Sequence, residues 1–261
     1  MVASFSMPDC ERLMVGMSSE TYRIGNRVRK QYHVLTDDAG ITAQNLDACI
    51  TEANVYLILG HHPLIVQCLA IGPQKEYIEL EFYARGNLKT YVKSNRARIN
   101  RLQLEYWGVQ MIQSVSYIHS KGVRHSDLRL DQWLVDEDGK ARLSDFNASG
   151  YDEQPSLCLK KREAAGLEST GYYLPRSDDA DSSVVTDLFA LGSSLYELNT
   201  DERPYPDLDD DVVDHLFAKG HFPSTQGLVS GAEILACWHQ KFSSAQDLFD
   251  AVRAFVDVSK I

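Results

Sequence analysis

The chain has 261 residues, 44% hydrophobic and 24% charged, the balance of an ordinary soluble globular protein with one two-lobed domain or two small ones. A formal net charge of −11 argues against a general nucleic-acid or anionic-membrane binder, which needs basic surface. Five scattered cysteines (Cys10, Cys49, Cys68, Cys158 and Cys237) have no metal or redox spacing, no secretory leader or bilayer-length apolar run is present, and Met1-Val2 is no myristoylation start, so a cytoplasmic or nuclear protein is expected.

Residues 1–10 carry no readable signal. Three strands are expected over 11–15, 21–24 and 27–34, with Gly25-Asn26 as the two-residue turn between the last two. Residues 42–59 place Leu46, Cys49, Ile50, Ala53, Tyr56 and Leu57 at helical spacing, with Gly60 as the stop and Pro63 just beyond. Strands fit 64–71 and 76–82, and from residue 86 the pattern turns helical. In 101–120, Leu102, Tyr106, Val109, Ile112 and Val115 fall on one side. Short strands fit 133–135 and 141–144 about an Asp138-Gly139 turn, and helices fit 187–199, 209–218, 231–240 and 244–257. Five strands and one helix followed by a helical half describe an α+β, two-lobed chain, with an N-lobe over about 11–83, a C-lobe over about 86–258 and a boundary near 83–87. Two acid groups (Asp178, Asp179, Asp181, and Asp207, Asp209, Asp210, Asp211, Asp214) read first as solvated surface and more sharply as a site recruiting a basic peptide.

Three motifs carry chemistry. Lys30 lies in the third strand, Glu52 lies mid-helix, and His125-Ser126-Asp127-Leu128-Arg129-Leu130-Asp131-Gln132 precedes Asp145-Phe146-Asn147, with Asp145 eighteen positions after Asp127. Each alone has a bland reading: a surface lysine, a solvated glutamate, a turn. Together they stand in order with Leu59-Gly60-His61-His62-Pro63-Leu64-Ile65-Val66 and Asp187-Leu188-Phe189-Ala190-Leu191-Gly192. In that order and spacing they resemble a eukaryotic protein kinase over essentially the whole chain. The resemblance implies one kinase-like domain over 1–261 with a five-stranded N-lobe, using ATP and Mg2+.

The Gly25-Asn26 turn sets Thr21 opposite Lys30, and alternation puts Thr21, Val28 and Lys30 on one face. By resemblance that face roofs the nucleotide, with Lys30 toward the phosphates, Glu52 as its partner and Tyr56 packing toward Phe146. Gly16 is the one retained glycine of a glycine-rich loop, Met14 and Ser19 standing at the other two positions, so weaker nucleotide binding is implied. Leu80 corresponds to the gatekeeper, Glu81-Phe82-Tyr83 to the hinge, and Leu134 to a further nucleotide-binding residue.

Asp127 corresponds to the catalytic aspartate, which accepts or orients the substrate hydroxyl, and Arg129 to a lysine near the transferring phosphate. Gln132 and Asp145 correspond to the metal ligands, Gln132 replacing an asparagine and reaching one methylene further. Ser126 replaces an arginine that pairs with a phosphorylated activation loop, so independence from that phosphate is implied. Asn147 replaces a glycine and tolerates left-handed angles. Leu174-Pro175-Arg176 resembles Ala-Pro-Glu with the glutamate replaced, and its usual arginine partner falls on Phe242, so both ends of an ion pair are gone. Ser169 falls where a hydroxyl contacts the catalytic aspartate, which favours Ser/Thr specificity.

The implied function is phosphoryl transfer to Ser/Thr hydroxyls of a protein substrate carrying basic residues, with no nucleic acid or membrane partner. One alternative is a pseudokinase serving as a nucleotide-binding or scaffold module, supported by the reduced loop, Ser126, Gln132 and Asn147. Another is a small-molecule kinase of the same fold, against which Ser169 and the full set of lower-lobe helices argue.

Overall fold

The first five strands form one antiparallel sheet in the order β1-β2-β3-β5-β4: β1 (Cys10–Val15), β2 (Ser19–Ile24), β3 (Arg27–Tyr32), β4 (Cys68–Ile71) and β5 (Tyr77–Glu81). The computed structural model describes residues 10–16, 18–177 and 179–253. Gly25, at φ +62°, makes the β2–β3 turn in the left-handed region where glycine is unstrained. The turn fixes the register: Thr21 faces Lys30, and Val28 faces Leu80 across β3 and β5. Between β3 and β4 runs α1 (Ala39–Leu59). It starts three residues before its expected position because the Asp38 carboxylate accepts the Ile41 N–H at 2.9 Å.

The second lobe follows with α2 (Leu88–Asn95), α3 (Arg101–Ser120), β6 (Val123–Arg124), β7 (Trp133–Val135), β8 (Ala141–Leu143), β9 (Gly150–Tyr151), α4 (Val184–Thr200), α5 (Asp210–Ala218), α6 (Gly231–Trp238) and α7 (Ala245–Arg253). The remainder of the helix expected over 244–257 lies outside the described residues, as does Asp178. Asn100 caps α3, and Ser183 with Thr186 forms a reciprocal capping box on α4. Helix α4 is the hub: Phe189, Ala190 and Leu191 are fully buried within it. Trp107, Trp133, Phe146 and Trp238 join the same apolar cluster.

Two expected core positions face solvent. Leu57 is 46% and Leu102 67% exposed. Leu102 sits in the first turn of α3, ahead of the packed stripe formed by Leu104, Trp107, Met111, Ile112, Val115 and Ile118. Leu57 follows an almost wholly buried run, 51–56, and turns to the outer side of α1. No helix among the described residues is long and apolar enough to cross a membrane.

Candidate active site

Strand β3 and helix α1 bring Lys30 and Glu52 together under the sheet. Lys30 Nζ lies 2.8 Å from Glu52 Oε2 and also contacts Asp145 Oδ1. Burial pulls the lysine's pKa down, but Asp145 and Glu52 outweigh it and hold the ammonium above its ordinary value. One cation thus serves two carboxylates. Burial raises the pKa of Glu52 against the pull of Lys30. For Asp145 Lys30 wins over burial, and the carboxyl stays below its ordinary value. Glu52 Oε1 also accepts the Phe146 N–H at 3.3 Å, and Tyr56 meets Phe146 edge-on with ring centroids 5.3 Å apart. The expected Tyr56–Phe146 packing is therefore present.

The hinge offers backbone groups. Glu81 N–H donates to Gln67 O at 2.9 Å and Phe82 N–H to Asn26 O at 3.1 Å, whereas the Tyr83 N–H meets no acceptor among the described residues. The Tyr83 ring is turned inward, its hydroxyl donating to Glu81 Oε2 at 2.8 Å. Thr21, Val28 and Leu134 are half-buried and Leu80 is buried. Gly16 departs from its expected part. Its N–H donates to Ser19 O at 2.8 Å, which closes the β1–β2 turn instead of leaving that amide open to a phosphate.

The segment 125–132, expected as the catalytic loop, hangs from Asp187 at the start of α4. This carboxylate accepts the N–H groups of His125 (2.7 Å) and Ser126 (2.9 Å) and contacts His119 Nε2 (2.9 Å). Burial works against its charge, but His119 and the Ser126 N–H hold its pKa below the ordinary value. Ser126, the residue before Asp127, takes φ +67°. Asp127 Oδ2 accepts Gln132 Nε2–H at 3.0 Å and Arg129 Nη2–H at 3.3 Å. Arg129 also lies 3.3 Å from Asp131. Burial pushes the Asp127 carboxyl up to about 7, with Arg129 opposing.

Asp145 and the Gln132 side-chain carbonyl are hard oxygen donors suited to Mg2+, which takes few protein ligands and keeps others from phosphate and water. Gln132 Nε2 is engaged by Asp127, and its Oε1 accepts no side-chain hydrogen bond among the described residues. The donor set therefore fits the ion. The same residues contain no group of three or more His, Cys, Asp or Glu that could hold a metal by themselves.

Two expectations need correction. Asn147 is not left-handed; Asp145 is, at φ +64°, so the third position of the triplet needs no glycine-like freedom. Ser169 is exposed and makes no hydrogen bond to Asp127; its carbonyl accepts the Tyr172 N–H at 2.9 Å. Arg176, standing where the family's glutamate would be, makes an ion pair of its own. Its Nη2 lies 3.0 Å from Glu168 Oε2, and the Glu168 side chain is 0% exposed. Phe242 packs on the rim of the apolar cluster in place of the absent arginine.

Sequence reasoning missed Glu168, Ser182 and Asp47. Ser126 Oγ takes the Gly166 N–H at 2.9 Å and donates to Ser182 Oγ at 2.9 Å, and Ser182 joins Arg176 at 3.3 Å. The signal available was the charge reversal at Arg176, which calls for a nearby acid.

The family described as "Protein kinase domain" matches residues 16–254. Among curated proteins, the chain is 23% identical to "Protein kinase C eta type" of Mus musculus over 66% of this chain and 25% of that protein. It is 29% identical to "CBL-interacting serine/threonine-protein kinase 8" of Arabidopsis thaliana over 68% and 40%. With "CBL-interacting serine/threonine-protein kinase 17" of the same plant, 27% identity covers 72% and 46%. The chain thus spans less than half the length of each of these relatives.

Proposed function

The chain belongs to the protein kinase family, and on that footing we propose that it transfers the terminal phosphoryl group of ATP to Ser/Thr hydroxyls of a protein substrate. The observation that carries this reading is Lys30 held between Glu52 and Asp145 while Asp127 stands apart, bonded to Gln132 and Arg129. Phosphoryl transfer asks the protein for position and charge more than for covalent chemistry.

Lys30 binds and orients the phosphates, and Glu52 keeps its ammonium on station. Asp145 and Gln132 would hold Mg2+, which neutralises phosphate charge when bound. Asp127 orients the attacking hydroxyl and receives its proton, a role suited to a carboxyl near neutral pH. Arg129 adds a fixed cation beside it. Adenine is taken up by the hinge backbone at Tyr83 with Thr21, Val28, Leu80 and Leu134 around it. The names of the plant relatives favour a Ser/Thr substrate. The exposed acids at Asp207, Asp209, Asp210 and Asp211 suit a basic substrate segment.

The test is Mg-ATP binding by thermal shift together with phosphate transfer to a generic protein substrate, using Lys30→Met and Asp127→Asn. Transfer by the unaltered chain that Asp127→Asn abolishes supports the reading. Failure to bind Mg-ATP sinks it. Binding that Lys30→Met removes, without turnover in the unaltered chain, makes this a nucleotide-binding module instead. The Gln132–Asp127 hydrogen bond is the feature that favours that second reading.

A further inference from the structure

Tyr151 and Arg162 face each other across an antiparallel bridge, Tyr151 N–H donating to Arg162 O at 2.9 Å and Arg162 N–H to Tyr151 O at 2.8 Å. Both side chains reach α1. Tyr151 Oη accepts a buried hydrogen bond from Asn54 Nδ2 at 2.9 Å, and Asn54 Oδ1 is held by Lys75 of the β4–β5 turn. Arg162 forks onto Asp47, with Nη1 3.0 Å from Oδ1 and Nη2 on Oδ2. Asp47 and Asn54 are seven residues apart, two turns along one face of α1. Glu52 lies between them and holds both Lys30 and the Phe146 N–H.

The segment after Asp145 thus grips α1 at three points: Phe146, Tyr151 and Arg162. Each grip is made by protein groups. Ser126 brings no cation for a phosphate; its hydroxyl holds the Gly166 N–H instead. We propose that Tyr151 and Arg162 are positioning residues that hold α1 in the setting where Glu52 meets Lys30, in the unmodified chain. Arg162 is 34% and Asp47 55% exposed, so their pair adds little to global stability. Its bidentate fork fixes direction, and direction is what a Glu52–Lys30 contact on the other side of the helix needs.

The kinetic readout rests on the phosphoryl-transfer reading; a second readout does not. The experiment compares Asp47→Arg, Arg162→Asp, the double reversal and Tyr151→Phe. It measures kcat and the KM for ATP, and amide hydrogen exchange across α1. Each single change should lower kcat about fivefold, the equivalent of about 1 kcal/mol, with KM for ATP moved by less than about twofold. Exchange should quicken in α1, while the denaturation midpoint stays put in the Asp47 and Arg162 variants and falls in Tyr151→Phe, which strands a buried Asn54 N–H. The double reversal should recover both rate and protection. No recovery overturns the proposal, and so does faster exchange spread equally through α3 and α4. Equal loss in Lys161→Ala, whose side chain pairs only with Glu163 among the described residues, overturns it as well. If the unaltered chain transfers no phosphate, α1 protection lost in the singles and regained in the double supports the positioning role while sinking the phosphoryl-transfer reading.

Discussion

Gln132 donates its side-chain amide to Asp127 Oδ2 at 3.0 Å, which ties the residue proposed to hold Mg2+ to the residue proposed to receive the substrate proton. The extra methylene of glutamine makes this reach possible. It turns the amide's nitrogen end to Asp127 and commits the side chain to that contact. Gln132→Asn, one methylene shorter, should release Asp127. The expected result is a kcat higher by about three- to tenfold and a lower Mg2+ concentration for half-maximal rate, read from an Mg2+ titration of phosphate transfer.

Asp127 makes stability depend on pH in an unusual direction. Its folded value, about 7, lies above the roughly 3.9 of an unperturbed aspartate. The fold therefore prefers the neutral carboxyl. That contribution is complete below about pH 4 and is lost as pH rises through 7. In the metal-free protein, Asp127→Asn should be the more stable form at pH 8, by on the order of 2 kcal/mol, and the gap should close toward pH 4. Urea denaturation at the two pH values checks it.

Asp187 acts in the opposite sense. Its pKa is held below the ordinary value, so its contribution is present above about pH 4 and is lost as pH falls through the folded value. Asp187→Asn should cost about 3 kcal/mol at pH 7, because two backbone N–H groups lose a charged acceptor inside the core. Its denaturation midpoint should change less than that of the unaltered chain below pH 4. Parallel midpoint curves in acid would contradict this account.

Gly192 sits inside α4, where a Cβ would lie 2.7 Å from Cys237 Cβ and 3.4 Å from Ile234 O. Helices α4 and α6 approach this closely only because the side chain is absent. Gly192→Ala, normally favourable within a helix, should here destabilise by about 1–3 kcal/mol through overpacking. The measurement is again chemical denaturation.

Much of the upper lobe and the site skeleton was legible from local patterns. The Gly25-Asn26 turn sufficed to set Thr21 opposite Lys30 because two-residue turns fix register. Helix α3 begins and ends where its periodicity and the Asn100 cap place it. Which face of a helix is buried was less legible. Leu57 and Leu102 have the right spacing, but no element among the described residues packs over them.

The order and spacing of Lys30, Glu52, Asp127, Asp145 and Asp187 determined the family, the two-lobed plan and the candidate site, since each residue sits at a marked place in a local motif. The tertiary structure alone decided what replaced the lost motif residues. Arg176 finds Glu168, Gln132 turns to Asp127, and Arg162 crosses 115 residues of sequence to reach Asp47. The left-handed residue of the Asp-Phe-Asn triplet proved to be Asp145, not Asn147. For Arg176 and Arg162 the physical reason is the same. Charge pairs in the segment after Asp145 are set by where that segment lands on the rest of the fold, and spacing along the chain carries no record of that landing.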